Sequence, residues 1–306
     1  MTTVVVFGGT GFLGRRVVHR LVTAGAIVHV AVRHPEGARG ALPAADLAQV
    51  TFFRADVREQ TSVAAAMAGA DTVVNAVSAY VEKSGVTFES VHVQGAETVA
   101  REAVRLGVAS LVLVSGLGAD PQSRSPYIRS RGRGEVAVQQ AFPNVTIVRP
   151  SAMFGPGDAL FGTLANLARL LPVLPLIGGG RTRLQPVYVE DVAEAVARIL
   201  ADPGTVSRHY ELAGPGVYTL RDLVRFTLRV VGKRRLLMPL PFTVAEIQAR
   251  LFELLPSPPL TTGQVDLLKV DSVASGALPG LRELNIPPKA IEEVVPTYIG
   301  ASLSGV

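Results

Sequence analysis

Short apolar runs alternate with stretches of helical periodicity over the first half of the chain. The runs predicted to form strands are Val4–Phe7, Ile27–Val32, Val50–Phe53, Thr72–Val77, Ser110–Ser115 and Val145–Val148. The stretches predicted to form helices are Phe12–Ala24, Gln60–Met67, Phe88–Leu106 and Ile128–Gln140. Continuous apolar strands joined by helices are typical of a parallel sheet covered on both faces. Because such crossovers are right-handed, the pattern predicts an α/β fold with a doubly wound parallel sheet.

A glycine-rich turn follows the first predicted strand and opens the first predicted helix. Gly9, Gly11 and Gly14 match the dinucleotide fingerprint, and Gly8 with the last two matches a wider-spaced relative of it. One glycine allows the tight turn, one lets the backbone approach a pyrophosphate, and one lets the helix pack close to the strand. The helix N-terminus then directs N–H groups and a positive dipole end at the phosphates. In this context the turn predicts a Rossmann fold that binds a dinucleotide.

The amino-acid composition changes in the second half, where Phe154–Asp158 and Leu171–Gly180 are rich in Gly and Pro. We predict a nucleotide-binding domain over residues 1–225, with a substrate-side insertion at about 152–185. A small helical lobe is predicted over residues 226–306.

Three elements are predicted between the insertion and the lobe. A strand is predicted at Gln185–Val189, and the helix Asp191–Leu200 follows it with Asp191 as its N-cap. Thr219 is predicted to cap the helix Leu220–Val231.

The amino-acid composition argues against several classes of protein and site. The chain has 306 residues, a net charge of +5 and a mean hydropathy of +0.34, but no run of the roughly 18 apolar residues that a membrane span needs. The first strand begins almost at Met1, so we expect no signal peptide. The absence of cysteine excludes disulfides and thiol chemistry, and the five scattered histidines predict no metal site. Without a basic stripe interleaved with aromatic residues, we expect no nucleic-acid partner.

Polar residues after the strands indicate how a cofactor could be held. Arg33 follows the second strand, where an acidic residue would bind the ribose 2′-hydroxyl of NAD. The arginine favours the 2′-phosphate of NADP(H), and the alternative is an ordinary solvated arginine at a strand end. Asp56 either accepts from the adenine amino group or is a turn or cap residue. Asn75 either holds backbone near the cofactor ribose or forms a local turn.

Ser115 ends the fifth strand, and strand carboxyl ends face the ligand crevice in this kind of sheet. If Tyr127 opens the next helix, Tyr127 and Arg131 lie on one face at i and i+4. A nearby cation is what lets a tyrosine act as an acid toward a carbonyl.

These motifs resemble the extended or atypical branch of the short-chain dehydrogenase/reductase superfamily. The matching pieces are Gly8–Gly14, Asp56, Ser115, Tyr127 with position 131, Arg149–Ser151, Phe154–Asp158 and Val189–Val192. The resemblance implies that Tyr127 donates the proton and Ser115 orients the substrate. It also implies a lysine at position 131 that holds the ribose and lowers the tyrosine pKa, whereas this chain has Arg131. The exchange is not conservative at a geometrically strict site, so we expect cofactor binding to survive and turnover to be in question.

From the resemblance we expect two sets of site residues. The catalytic set is Tyr127, Ser115 and Arg131. The cofactor-binding set is Gly8, Gly9, Thr10, Gly11, Phe12, Leu13, Gly14, Arg33, Asp56, Val57, Asn75, Ala76, Tyr127, Arg131, Pro150 and Ser151.

A narrower resemblance covers nearly the whole chain. It rests on Ala141–Pro143, Ser151–Asp158, Leu184–Val192, Leu237–Pro241, Leu267–Asp271 and Leu278–Leu281. These segments are similar to the NADPH-binding accessory subunit of respiratory complex I and its bacterial relatives. The resemblance implies tightly held NADPH with a structural role, on the peripheral arm beside the membrane and off the electron path. It places the chain on the cytoplasmic side of a bacterial inner membrane, or on the matrix side if it is eukaryotic and processed.

Two questions stay open at the level of sequence. The stretch 243–255 has an apolar stripe at helical spacing just after Lys233–Arg235, and it is either a core helix of the small lobe or a helix that docks on a membrane surface or a partner. The chain is either the accessory subunit, a free NAD(P)H-dependent reductase or epimerase of an unknown carbonyl substrate, or a regulator that senses the NADP(H) redox state.

Overall fold

The computed structural model describes residues 2–83, 85–205, 208–255 and 260–300. The strands are β1 Thr3–Phe7, β2 Ile27–Val32, β3 Val50–Arg54, β4 Thr72–Asn75, β5 Ser110–Val114, β6 Thr146–Pro150, β7 Met153–Phe154, β8 Val173–Ile177, β9 Arg183–Leu184, β10 Val187–Tyr188, β11 His209–Leu212, β12 Tyr218–Thr219 and β13 Leu236–Leu240. The helices are α1 Gly14–Thr23, α2 Gln60–Met67, α3 Ala96–Arg105, α4 Pro126–Ala141, α5 Leu160–Leu170, α6 Val189–Ala201, α7 Leu220–Val230, α8 Phe242–Phe252, α9 Thr262–Leu267 and α10 Ile291–Ile299. A π-helical stretch, Glu89–Gly95, leads directly into α3.

Seven parallel strands form the main sheet in the order β3-β2-β1-β4-β5-β6-β11. Their residues alternate between two cores. Val4 and Val6 of β1 pack with α1 and α6 on one face, while Val5 and Phe7 pack with α2, α3 and α4 on the other. The predicted doubly wound parallel sheet is therefore confirmed. The strand order reverses between β1 and β4, which places a ligand crevice at the carboxyl ends of these two strands.

The six strands predicted in the first half are present with shifts of a few residues at their ends. Sequence reasoning missed β11, which pairs with β6 at the sheet edge. Its four residues bury Tyr210 and Leu212 and leave the alternate ones partly exposed. So short an alternation gives little signal in a sequence.

The strand predicted at Gln185–Val189 is shorter than expected, since only β10 lies within this range, where it pairs with β7. A separate strand, β9, precedes the predicted range and pairs with β12. Pro186 lies between them and has no N–H to donate to a continuous ladder.

The predicted N-cap of α6 is also wrong. The helix begins at Val189, and the buried carboxylate of Asp191 accepts a hydrogen bond from the Lys289 backbone N–H at 2.9 Å. Burial raises the pKa of Asp191. The predicted cap of α7 is confirmed, because Thr219 and Asp222 form a reciprocal capping box.

A third core, formed chiefly by α5, α7 and α10, lies beyond the main sheet. Residue 225, where sequence reasoning divides the chain, lies within α7. Beside this core, β8 and β13 form a two-stranded parallel ribbon, and α8 packs against α9. Residues 301–306 of the predicted lobe lie outside the described part. Within the described residues, every helix falls short of the length and apolar character needed to cross a bilayer.

Candidate nucleotide-binding and catalytic site

The glycine turn lies between β1 and α1 at the sheet's carboxyl edge. Gly8 has a φ of +77°, in the left-handed region that favours glycine. Gly11 N–H donates to the Gly8 carbonyl at 2.9 Å. A Cβ at Gly14 would lie 2.0 Å from the same carbonyl oxygen. Only glycine lets α1 approach the turn so closely, which is the backbone geometry that a bound pyrophosphate requires.

The remaining turn residues differ in their surroundings. Thr10 is partly exposed, whereas the Leu13 side chain is buried in the core beside α6. The Arg16 guanidinium lies 4.4 Å from the Phe12 ring centroid. Arg16 also donates to the Pro156 carbonyl at 2.7 Å and to the Glu190 carboxylate at 3.1 Å. Sequence reasoning missed Arg16, which ties the turn to the 155–158 loop and to α6.

The residues after β2 and β3 form the predicted adenosine end. Arg33 is exposed. Asp56 accepts hydrogen bonds from Arg58 Nε at 2.9 Å, from a terminal guanidinium nitrogen at 2.6 Å and from the Arg58 backbone N–H at 3.0 Å. These bonds hold the pKa of Asp56 below its usual range, and the charge of Arg33 adds to the effect. Asp56 therefore forms the local turn, and Arg58, which the sequence reasoning missed, occupies its carboxylate.

Two predicted contacts lie at the end of β4. Asn75 is buried, and its Oδ1 accepts from the Val77 N–H at 3.2 Å, so its side chain forms a local turn. The Ala76 carbonyl lies 3.0 Å from where a Cβ on Gly8 would be. A third predicted contact, Val57, follows β3 and is buried, and a Cβ on Gly95 would lie 2.7 Å from its Cγ2.

Pro150 is the last residue of β6, and Ser151 follows it. Pro150 pairs with Leu212 of β11. Buried Ser151 donates from its hydroxyl to the Ser272 carbonyl at 3.2 Å, which fastens the sheet edge to the C-terminal segment.

Arg131 is directed toward the end of β5. Its terminal nitrogens donate to the carbonyls of Val114 and Ser115, at 3.4 and 3.2 Å. Its Nε and the Ser115 hydroxyl are buried without a hydrogen-bond partner among the described protein atoms. Both residues line a cavity of about 10 Å³ with Asn75 and His92. That volume suits one water molecule, and the two unsatisfied groups would supply its partners.

Tyr127 and Arg131 lie on one face of α4 as predicted, and the guanidinium carbon is 5.8 Å from the Tyr127 ring centroid. Burial opposes the charge of Arg131, but the phenols of Tyr127 and Tyr80 raise its pKa above the ordinary value. The geometry therefore places a cation beside the phenol that the sequence analysis assigns to proton donation.

Tyr80 is a second phenol that sequence reasoning missed. Its ring stacks on Tyr127 with centroids 5.6 Å apart. The neighbouring Tyr127 and burial of the hydroxyl raise the pKa of Tyr80, and Arg131 opposes the rise. No periodicity pointed to Tyr80, because it lies in the loop after β4.

His92 orders this cluster from the π-helical stretch. Its Nε2 accepts from the Ala79 N–H at 3.0 Å. Its Nδ1 lies 2.9 Å from the Ser130 hydroxyl, which itself donates to the Tyr127 carbonyl. The network assigns the proton to Nδ1. Burial, with the charge of Arg131, lowers the pKa of His92 to about 3, so the ring is neutral at physiological pH.

The stripe in 243–255 proves to be exposed. The side chains that α8 buries are Ala245 and Ala249. Its larger apolar residues face outward, with Ile247 61%, Leu251 62% and Leu254, just after the helix, 82% exposed. We define this stripe, with Val244, as the outer face of α8.

The chain is similar to several known proteins. The model of a family described as the NAD dependent epimerase/dehydratase family matches residues 4–213. NADH dehydrogenase (ubiquinone) 1 alpha subcomplex subunit 9, mitochondrial, of Arabidopsis thaliana is 34% identical over 94% of this chain and 74% of its own length. Ceramide reductase of Caulobacter vibrioides is 31% identical over 78% of this chain and 73% of its own. The structure of Thermus thermophilus UDP-glucose 4-epimerase with NAD covers both chains fully with a TM-score of 0.75 and 21% identity, a likeness of fold.

Proposed function

Because this chain belongs to the NAD dependent epimerase/dehydratase family, we propose that it is an NADP(H)-binding accessory subunit of respiratory complex I, in which the dinucleotide is a structural element with little or no turnover. The observation that carries the proposal is the similarity to the Arabidopsis subunit over 94% of the chain. That similarity continues past residue 213, where the family match ends, and so includes the lobe that generic family members need not share.

The residues present fit a dinucleotide. Gly14 leaves a cradle that a Cβ would fill, and the Ser115 hydroxyl and Arg131 Nε are buried polar groups without a protein partner. The Gly8–Gly14 turn would hold the pyrophosphate, and Tyr127 with Arg131 would lie at the ribose and nicotinamide end. When bound, the nicotinamide supplies hydride chemistry. Two guanidinium nitrogens of Arg131 donate to backbone carbonyls. This favours a structural role for the bound dinucleotide over catalytic turnover.

A preference for NADPH over NADH rests on Arg33. Its exposed guanidinium lies close enough to Asp56 to lower the pKa of that carboxyl, and a 2′-phosphate would suit this basic corner. We expect Arg33→Ala to weaken NADPH binding by about 10- to 100-fold, the range of a charge-assisted hydrogen bond, and to leave NADH binding unchanged. Arg54→Ala, at the exposed end of β3, is the control. Equal losses for NADPH and NADH would contradict the assignment.

Peripheral contact with a membrane surface, beside peripheral-arm subunits, is the second part of the proposal. The outer face of α8 exposes large apolar side chains, and Lys233 and Arg234 are exposed just before β13. Apolar and basic side chains of this kind suit an anionic lipid interface. The location is the cytoplasmic side of a bacterial inner membrane, or the matrix side in a mitochondrion.

The test is to purify the chain under native conditions, denature it and identify the released nucleotide and the accompanying proteins by mass spectrometry. We expect NADPH and respiratory-chain subunits. A solitary chain without nucleotide that oxidises added NADPH rapidly with carbonyl compounds would overturn the proposal.

A free NAD(P)H-dependent reductase is the second candidate. It is favoured by the presence of Ser115, Tyr127 and a cation in one cluster, and by the similarity to ceramide reductase. In that case Tyr127→Phe should reduce kcat by about 100-fold or more, as expected for loss of a general acid. An observed activity that Tyr127→Phe leaves unchanged would remove this mechanism.

A further inference from the structure

Tyr127 is enclosed although it lies at the position of a catalytic acid. It is 5% exposed, whereas Tyr80, stacked on it, is 47% exposed. The rings of Phe88 and His92 lie nearly perpendicular to its ring, with centroid distances of 5.4 and 5.5 Å. Aromatic rings therefore cover most of the Tyr127 side chain.

The short helix α9 completes the enclosure from the C-terminal lobe. A Cβ on Gly263 would lie 3.1 Å from the Tyr80 carbonyl and 3.8 Å from Cδ2 of Tyr127. Leu267 packs on the cluster of Phe88, Tyr127 and Ile128. The Ser125 hydroxyl at the start of α4 donates to the Asp266 carboxylate at 2.8 Å. One helix thus contacts the backbone of Tyr80, whose ring stacks on Tyr127, and the helix that carries Tyr127.

α9 is in turn fastened to α8. The Thr262 hydroxyl donates to Glu253 at 2.8 Å, and Lys269 pairs with Glu246 at 2.9 Å. Val265 is buried with Ala245 and Ala249 of α8. The two helices therefore form one unit, whose inner side lies on Tyr127 and whose outer side is the apolar face of α8.

We propose that α9 and the Tyr80 ring form a cover that keeps carbonyl substrates from Tyr127, so that the α8–α9 unit must move before Tyr127 can react. This inference rests on the proposed function, because the cover would be the physical reason for the low turnover proposed there. The cover itself consists of contacts between protein groups and can be tested without a nucleotide.

The test is hydroxyl-radical footprinting of the full chain, with oxidation of each tyrosine measured by peptide mass spectrometry. In the parent we expect Tyr80 to be oxidised and Tyr127 to be protected. Leu267→Ala removes packing on Tyr127 and should raise its oxidation rate at least about fivefold through local opening, while Tyr80 changes less than about twofold. Leu254→Ala, on the outer side of the same unit, is the matched control and should leave both rates unchanged.

Gly263→Ala provides a second variant if Leu267→Ala fails to fold, because its Cβ would crowd the Tyr80 carbonyl and displace α9 by a few tenths of an ångström. Equal oxidation of Tyr127 and Tyr80 in the parent would overturn the proposal. So would full protection of Tyr127 in every folded variant. A chain that releases no NADPH on denaturation would contradict the proposed function but leave the footprinting result intact.

Discussion

The main sheet and the α8–α9 unit use their apolar residues in opposite ways. In β1 every residue from Val4 to Phe7 is buried, because helices cover both faces of the sheet. In α8 the small residues Ala245 and Ala249 face inward, and larger ones such as Ile247 and Leu251 face solvent. The sheet's side chains are explained by the chain's own packing. Within the described residues, no such packing covers the outer face of α8, and exposed contiguous apolar surface is typical of interaction sites.

The largest effect should come from filling a close backbone approach beside the main sheet, at Gly14. Gly14→Val would place side-chain atoms against the Gly8 carbonyl, where a Cβ alone is 2.0 Å away. We expect destabilisation of about 1–3 kcal/mol or more, as for overpacked sites, together with loss of nucleotide binding. Denaturant unfolding and NADPH titration measure the two effects.

Gly162→Ala in α5 is the matched control for this substitution. No atom lies within 4 Å of its added Cβ, so it should stabilise the protein by about 0.5–1 kcal/mol, the helix preference of alanine over glycine. Similar results for the two glycines would mean that close approach at Gly14 is unimportant.

Lowering the pH should reduce the free energy of unfolding, because His92 is held neutral in the folded protein. Its pKa is lowered to about 3 in the folded chain, against an ordinary value near 6.5 in the unfolded chain. Below about pH 6.5 the unfolded state therefore binds the extra proton, and this contribution to stability falls by about 1.4 kcal/mol per pH unit until the folded histidine titrates near pH 3. The free energy of unfolding, measured from pH 7 to 4, should show a shallower decline in His92→Gln. Parallel curves for parent and variant would contradict the assignment.

The third core depends on Asp158, which links the 155–158 loop to α5 and α10. Its buried carboxylate accepts from the N–H groups of Gly155 and Phe161 and from the Tyr298 hydroxyl of α10. Asp158→Ala leaves these donors unsatisfied and should lower the free energy of unfolding by about 1–3 kcal/mol. Tyr298→Phe removes only the hydrogen bond from Tyr298 and should lower the free energy of unfolding less than Asp158→Ala does. A larger decrease in Tyr298→Phe would contradict this prediction.

The smallest effect on stability should come from the outer face of α8. Ile247→Ser replaces an exposed side chain and should change the free energy of unfolding by less than about 0.5 kcal/mol, as at other surface positions. It should nevertheless reduce binding to vesicles that contain anionic lipid, measured by sedimentation. Ala249→Leu, on the buried side of the same helix, should do the reverse, with destabilisation of about 1–3 kcal/mol from overpacking. A large stability loss in Ile247→Ser would mean that the face is packed.

The parts predicted well share strong local signals. Six strands of the sheet and the helices between them follow apolar runs bounded by glycine or polar residues, and the close packing at Gly14 is where the fingerprint predicts it. Asp191 was misassigned because capping depends on where the helix starts, and the partner of its carboxylate, Lys289, lies far along the chain. Tyr80 carries no local pattern, since only the fold places it on Tyr127.

The sequence alone determined the sheet class, the nucleotide turn and the spacing of Tyr127 and Arg131, because each depends on residues within one or two turns of chain. Only the tertiary structure decided which face of α8 is exposed, what occupies the carboxylate of Asp56 and what encloses Tyr127. A helical stripe has the same periodicity whether it faces a core or a partner. Burial is a property of neighbours that are distant in sequence, and these are fixed only when the chain has folded.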